Sequence, residues 1–95
     1  MIRLENNKIT IESTIATLED KNDFRSAFTT LTNEDHKEIL IDLLRTTVLP
    51  SELIGFLIDR KRKLQQKGKS MKIIAINEIL KKQFDSIKIS EYFEL

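Results

Sequence analysis

The chain has 95 residues, 40% of them hydrophobic, with 16 Lys and Arg against 15 Asp and Glu. One modest core is the expectation, because single cores typically serve ~100 to 150 residues. The near-neutral charge speaks against a dedicated nucleic-acid binder and against an intrinsically disordered chain. Zero cysteines and a single histidine, His36, exclude disulfides, thiol catalysis, thiolate metal sites and most histidine relays.

Ile2 and Leu4, then Ile9 and Ile11, alternate on either side of Asn6-Asn7, which predicts an antiparallel hairpin with polar outward positions such as Arg3, Lys8, Thr10 and Glu12. Phe24, Ala27, Phe28 and Leu31 recur at i, i+3, i+4 and i+7, one helical face, with Asp20 or Asn22 available as N-cap. The polar turn Thr32 to His36 follows. Ile39-Leu40-Ile41-Asp42-Leu43-Leu44 reads as a central strand covered on both faces. Leu53, Ile54, Leu57, Ile58 and Leu64 predict a second helix, opened by Ser51 and closed by a basic turn and Gly68. Met71 and Ile73 to Ile76 predict a second buried strand, Asn77 a cap, and Ile79, Leu80 and Phe84 a third helix. The apolar tail Ile87, Ile89, Tyr92, Phe93 and Leu95 is expected to dock on the body and to include a short last strand.

This order predicts a single α/β domain over residues 1–95. Its small mixed sheet, mostly parallel, starts with an antiparallel hairpin and packs against about three helices joined by right-handed crossovers. The N-terminus, Met1-Ile2-Arg3-Leu4-Glu5, is charged where an export signal is apolar, and no run approaches the ~20 apolar residues of a membrane span. The expected location is the cytoplasm.

Catalytic constellations are missing. Gly55 and Gly68 are the only glycines, so no glycine-rich phosphate loop exists. Glu19, Asp20 and Asp23 read as helix-start charges, and His36, among Glu34, Asp35 and Glu38, reads as part of a solvated loop. No catalytic residue, metal or cofactor is expected. Arg60, Lys61, Arg62, Lys63, Lys67, Lys69 and Lys72 put seven cations into thirteen residues. That stretch reads as a helix end with a solvated face, or as a patch facing anions. Aromatic residues are not interleaved with it, so a base-stacking platform for nucleic acid is lacking. The formal charge of +1 is a cancellation: residues 1–59 carry 11 acids and 6 bases, residues 60–95 carry 4 acids and 10 bases.

Several segments together resemble the STAS domain, the fold of bacterial anti-sigma factor antagonists, over essentially the whole chain. Ile39-Leu40-Ile41-Asp42-Leu43 is similar to the family's central strand. Pro50-Ser51-Glu52-Leu53-Ile54-Gly55 stands where the family has Asp-Ser-Ser-Gly-Leu-Gly, and it keeps the first serine as Ser51 and the last glycine as Gly55. Gly68 after a basic helix end, Phe84-Asp85-Ser86-Ile87 and Tyr92-Phe93-Glu94-Leu95 resemble the family's basic turn, closing helix and tail. Thr17-Leu18-Glu19-Asp20 stands at the family's Gly-x-Leu-Asp loop, with Asp20 in register.

The resemblance implies a non-enzymatic binding domain in signalling and transcription regulation, a monomer or weak dimer. Its implied partner is a serine-kinase-type anti-sigma factor or a related phosphatase or switch protein. Ser51 is the implied phosphoacceptor, and the implied contact surface comprises Glu19, Asp20, Thr46, Thr47, Val48, Leu49, Pro50, Ser51, Glu52 and Gly55. From the residues alone, Ser51 after a proline reads as an ordinary N-cap. Pro50 and Glu52 depart from the family pattern and favour an alternative: a constitutive STAS-like subunit of a larger assembly, such as a transporter complex, with no phosphate cycle.

Overall fold

Residues 1–95 are described by a computed structural model. The opening alternation forms strands β1 (Ile2–Glu5) and β2 (Lys8–Ile11), paired antiparallel with Ile2 opposite Ile11 and Leu4 opposite Ile9. Their two-residue turn is made possible by Asn6, which adopts a left-handed φ of 56°, a conformation asparagine tolerates better than most residues. Helix α1 (Leu18–Asn33), strand β3 (Glu38–Leu43), helix α2 (Ser51–Gln66), strand β4 (Ser70–Ile76) and helix α3 (Glu78–Ser86) follow.

The sheet order is β1-β2-β3-β4, with β2, β3 and β4 parallel. This is the small mixed α/β architecture predicted from the pattern. Both crossovers step in the same direction, and right-handed connections then set α1 and α2 on one side of the sheet. Burial agrees. Ile9, Ile11, Ile39, Ile41, Leu43, Met71 and Ile73 are buried on that side. On the other side lie Arg3, Lys8, Leu40, Asp42 and Lys72, none of them buried, and Thr10, which the alternation predicts as half-exposed and which is instead buried between them.

The expectation that β3 is covered on both faces is therefore corrected: its burial alternates, and only one face is packed. β4 is likewise an outer strand rather than a buried one, with Ile74 47% exposed. Ile74 is the extra residue of a bulge, because Ile41 pairs with Ile73 while Asp42 pairs with Ala75.

The core is one contiguous cluster of 19 residues. Phe24 and Phe28 of α1 meet Phe56 of α2 with ring centroids 5.8 Å apart in each pair, both edge to face. Phe84 of α3 meets Phe93 of the tail at 5.7 Å. Phe24, Phe84 and Phe93 are essentially fully buried, and burial of such a side chain contributes ~1.5–3 kcal/mol.

The tail docks as expected but forms no strand. Lys88 and Glu94 take left-handed φ of 62°, and the Ile89 N–H reaches back to the Phe84 carbonyl at 3.0 Å. The chain therefore turns on itself instead of extending. No helix is long and apolar enough to cross a membrane.

Candidate functional site

Because every helix follows a parallel strand, α1, α2 and α3 all begin at one end of the sheet, where the strands β2, β3 and β4 finish. Crevices at that end of open α/β sheets commonly bind ligands or partners. Two loops form it, residues 12–17 before α1 and residues 44–50 before α2.

Thr46 ties the loops together from inside. It is fully buried, and its hydroxyl lies 3.1 Å from the Ile11 carbonyl and 2.8 Å from that of Ser13. Asn77, the cap of α3 as predicted, accepts the Leu80 N–H and donates its amide to the carbonyls of Leu44 and Thr46 at 3.0 and 2.6 Å. Ile15 and Val48 form an isolated parallel bridge, extended by Ala16 N–H to the Val48 carbonyl at 3.0 Å. Thr47 bonds Thr14 through both its backbone N–H and its hydroxyl.

The helix starts differ from the sequence expectation. α1 is capped by Thr17, not by Asp20 or Asn22. The Thr17 hydroxyl accepts the Asp20 N–H at 3.2 Å, and the Asp20 carboxylate accepts the Thr17 N–H at 2.9 Å, a reciprocal capping box. The same carboxylate, 4% exposed as a residue, holds the terminal ammonium of Met1 at 2.5 Å. Burial pushes the Asp20 pKa up, but the terminal ammonium, the Thr17 N–H and the Ser13 hydroxyl outweigh it and hold the group below its usual value.

Ser51, read from the residues as an N-cap, caps nothing. Pro50 occupies the N-cap position with extended backbone, and α2 has no side-chain cap hydrogen bond. The Leu53 and Ile54 N–H groups turn instead to the Pro50 carbonyl, at 3.0 and 3.1 Å. Ser51 and Glu52 are exposed in the first turn, as is Gly55 one turn further along the same face. A Cβ at Gly55 would meet nothing within 4 Å, so packing gives no reason for a glycine inside this helix.

Of the residues the resemblance points to, Glu19, Val48, Ser51, Glu52 and Gly55 are exposed, Thr47 and Pro50 are half-buried, and Asp20, Thr46 and Leu49 are interior. The last three shape the surface from beneath. Around them lie large apolar side chains open to solvent: Ile15 and Leu18 at 62%, Leu44 at 57% and Ile79 at 64%. Sequence reasoning placed Leu44 at the end of the apolar run of β3 and did not mark Ile15, Leu18 or Ile79 as surface groups. Ile79 was assigned to the buried side of α3 and instead faces solvent. The Thr-x-x-Asp spacing of a capping box was the signal that would have moved the α1 start to Thr17 and left Leu18 outside.

The basic stretch is not one solvated face. Lys61 is buried, its ammonium 3.3 Å from the Met71 carbonyl and 5.8 Å from the centre of the Tyr92 ring. Lys69 pairs with Asp35 at 2.7 Å. Asp59 lies 3.0 Å from Arg62 and 3.2 Å from Lys63, and chiefly the Lys63 hydrogen bond holds its carboxyl below the usual range.

No group of three or more metal-ligating side chains comes together anywhere in the chain. In comparisons with known proteins, no family model, curated protein or solved structure matches the chain.

Proposed function

We propose that this chain is a STAS-like regulatory docking domain that works in the cytoplasm by binding another protein through the loop end of its sheet. The observation that carries the reading is the start of α2. A serine hydroxyl with no capping role stands exposed beside a helix glycine that packing does not require, at the edge of an apolar surface formed by Ile15, Leu18 and Val48. Exposed apolar groups gathered at one end suit a protein contact, and Gly55 leaves room for a partner backbone to approach α2 closely.

The resemblance supplies the partner class, a serine-kinase-type anti-sigma factor or related switch protein. The mechanism is competitive occupation, in which binding the regulator releases what the regulator held. Phosphorylation of Ser51 is the off-switch. It would add ~1.5 to 2 negative charges at the rim of an apolar patch already carrying Glu19 and Glu52, so the docking surface would no longer dehydrate favourably.

Pro50 at the N-cap and the exposed Glu52 favour a second reading, a constitutive subunit of a larger assembly. Incubation with the cognate kinase and ATP, followed by mapping of the modified site, tests the switch: phosphate on Ser51 supports it, and an unmodified Ser51 overturns it. Partner pull-down with Ser51→Glu separates the two readings, since only the switched protein loses its partner.

A further inference from the structure

Away from the loop end, α1 from Arg25 onward and α2 from Phe56 onward enclose a groove. It comprises two adjoining cavities of about 290 and 380 Å³ that share Phe28, Thr32 and Arg60. Its apolar floor is Phe28, Leu64 and Phe56. Its charged walls are Arg25 on α1, Arg60 and Lys63 on α2, and Lys67 at the C-cap of α2, and no carboxylate lines it. Arg60, Lys63 and the C-cap Lys67 are spaced i, i+3 and i+7, one stripe ~10 Å long at the end of the helix. Arg60 and Arg25 sit over the Phe56 ring at 5.0 and 5.9 Å, so the cations are held along the groove rather than splayed into solvent. Neither Arg25 nor Lys67 takes part in an ion pair, so the groove keeps positive charge that Asp59 does not neutralise.

The loop end has the complementary chemistry. Ile15, Leu18 and Val48 form its apolar centre, and Glu19, Glu52 and Glu78, each in the first turn of a different helix, supply three acids around it against one exposed loop cation, Arg45. One surface is apolar with an acidic rim and the other apolar with a basic rim. They lie towards opposite ends of helices 16 residues long, or ~24 Å.

We propose that the groove receives the loop end of a second copy of this chain, giving head-to-tail association. The two surfaces are unlike, so the contact is heterologous and each added copy presents a fresh end and a fresh groove. Opposite charge steers the approach, and the apolar centre supplies burial once the rims align. A copy seated on the loop end covers the neighbourhood of Ser51, so self-association and partner docking exclude each other there. The proposal does not rest on the partner reading, since it needs only this chain.

Sedimentation of the purified protein tests it. The average mass should rise with concentration at ~0.05 M salt, and half-association should need at least ~10-fold more protein at ~0.5 M salt, where the Debye length is ~4 Å. Lys63→Glu/Lys67→Glu and Glu19→Lys/Glu52→Lys, all exposed positions, should each remain monomeric, because the first leaves Arg25 and Arg60 cancelled by two glutamates and the second sets cations on the end against a basic groove. An equimolar mixture of the two should associate again. A wild type that stays monomeric at low salt, association that strengthens with salt, or a reversal variant that still associates alone would each overturn the proposal. Circular dichroism of both variants verifies that they are folded, and no partner protein enters the measurement.

Discussion

Helices α1 and α2 begin at the same end of the sheet and run for 16 residues each, yet their first turns are built in opposite ways. The α1 start is bound several times over: the Thr17–Asp20 box satisfies the first amides, and the buried Asp20 carboxylate also holds the chain's amino terminus. The α2 start has a proline for a cap, and its exposed serine makes no cap hydrogen bond. Helix ends carry unsatisfied amides and a positive dipole end that proteins ordinarily quench with a side chain. Leaving one end quenched and the neighbouring end open marks a division of labour: α1 fixes the shape of the loop end, while α2 offers it.

Substitutions can break this contrast. The largest effect is expected from Asp20→Ala, which removes half the capping box and the carboxylate that the terminal ammonium pairs with, leaving that ammonium only the Ser13 hydroxyl. It should cost about 2 kcal/mol, read as a drop of roughly 10 °C in Tm for a chain of this size. The same carboxyl gives the contrast a pH dependence. Its folded pKa lies below the unfolded value, so its stabilisation is complete above pH ~4 and is lost as pH falls through the folded value. Asp20→Asn should therefore flatten the acid limb of the stability profile measured by chemical denaturation, and an unchanged limb would refute this assignment.

A smaller effect of opposite sign is expected at Gly55. Because a Cβ there meets nothing, Gly55→Ala should raise stability by ~0.5–1 kcal/mol in urea melts. If the glycine serves partner approach, the same change weakens docking, separating fold from function at one atom. Ser51→Ala should be the mildest, within ~0.5 kcal/mol of wild type. A loss of ~1 kcal/mol or more would mean that the hydroxyl caps α2 after all.

Much of this fold is written in local periodicity. The hairpin alternation, the Phe24/Phe28/Leu31 stripe and the terminal signal at Gly68 each correspond to an element or boundary that forms. Gly68 takes the left-handed φ of 73° that ends α2. The apolar run of β3 misleads because one-sided covering is decided by strand order, which no window around Leu40 contains. The tail misleads because Ile87, Ile89, Tyr92 and Phe93 have strand-forming side chains, while the left-handed Lys88 sends the backbone elsewhere. At the loop end, sequence picked out the right loops but not which of their residues face water. Thr46 and Leu49 belong to the contact surface that the resemblance implies, yet contacts more than thirty residues away along the chain draw them inside.

The bulge at Ile74 bears on how copies of this chain meet. β4 is an outer strand, and a straight outer strand is a template on which a neighbouring chain can extend the hydrogen-bond ladder. The extra residue between Ile73 and Ala75 interrupts the regular spacing such a ladder needs, and the exposed Lys72 ammonium beside it would have to be dehydrated by any strand laid alongside. The β4 edge is thereby biased against joining by its backbone, so copies that meet on this side are left to do so through side chains on the helices and loops, contacts that salt can dissolve, rather than through a shared backbone that it cannot.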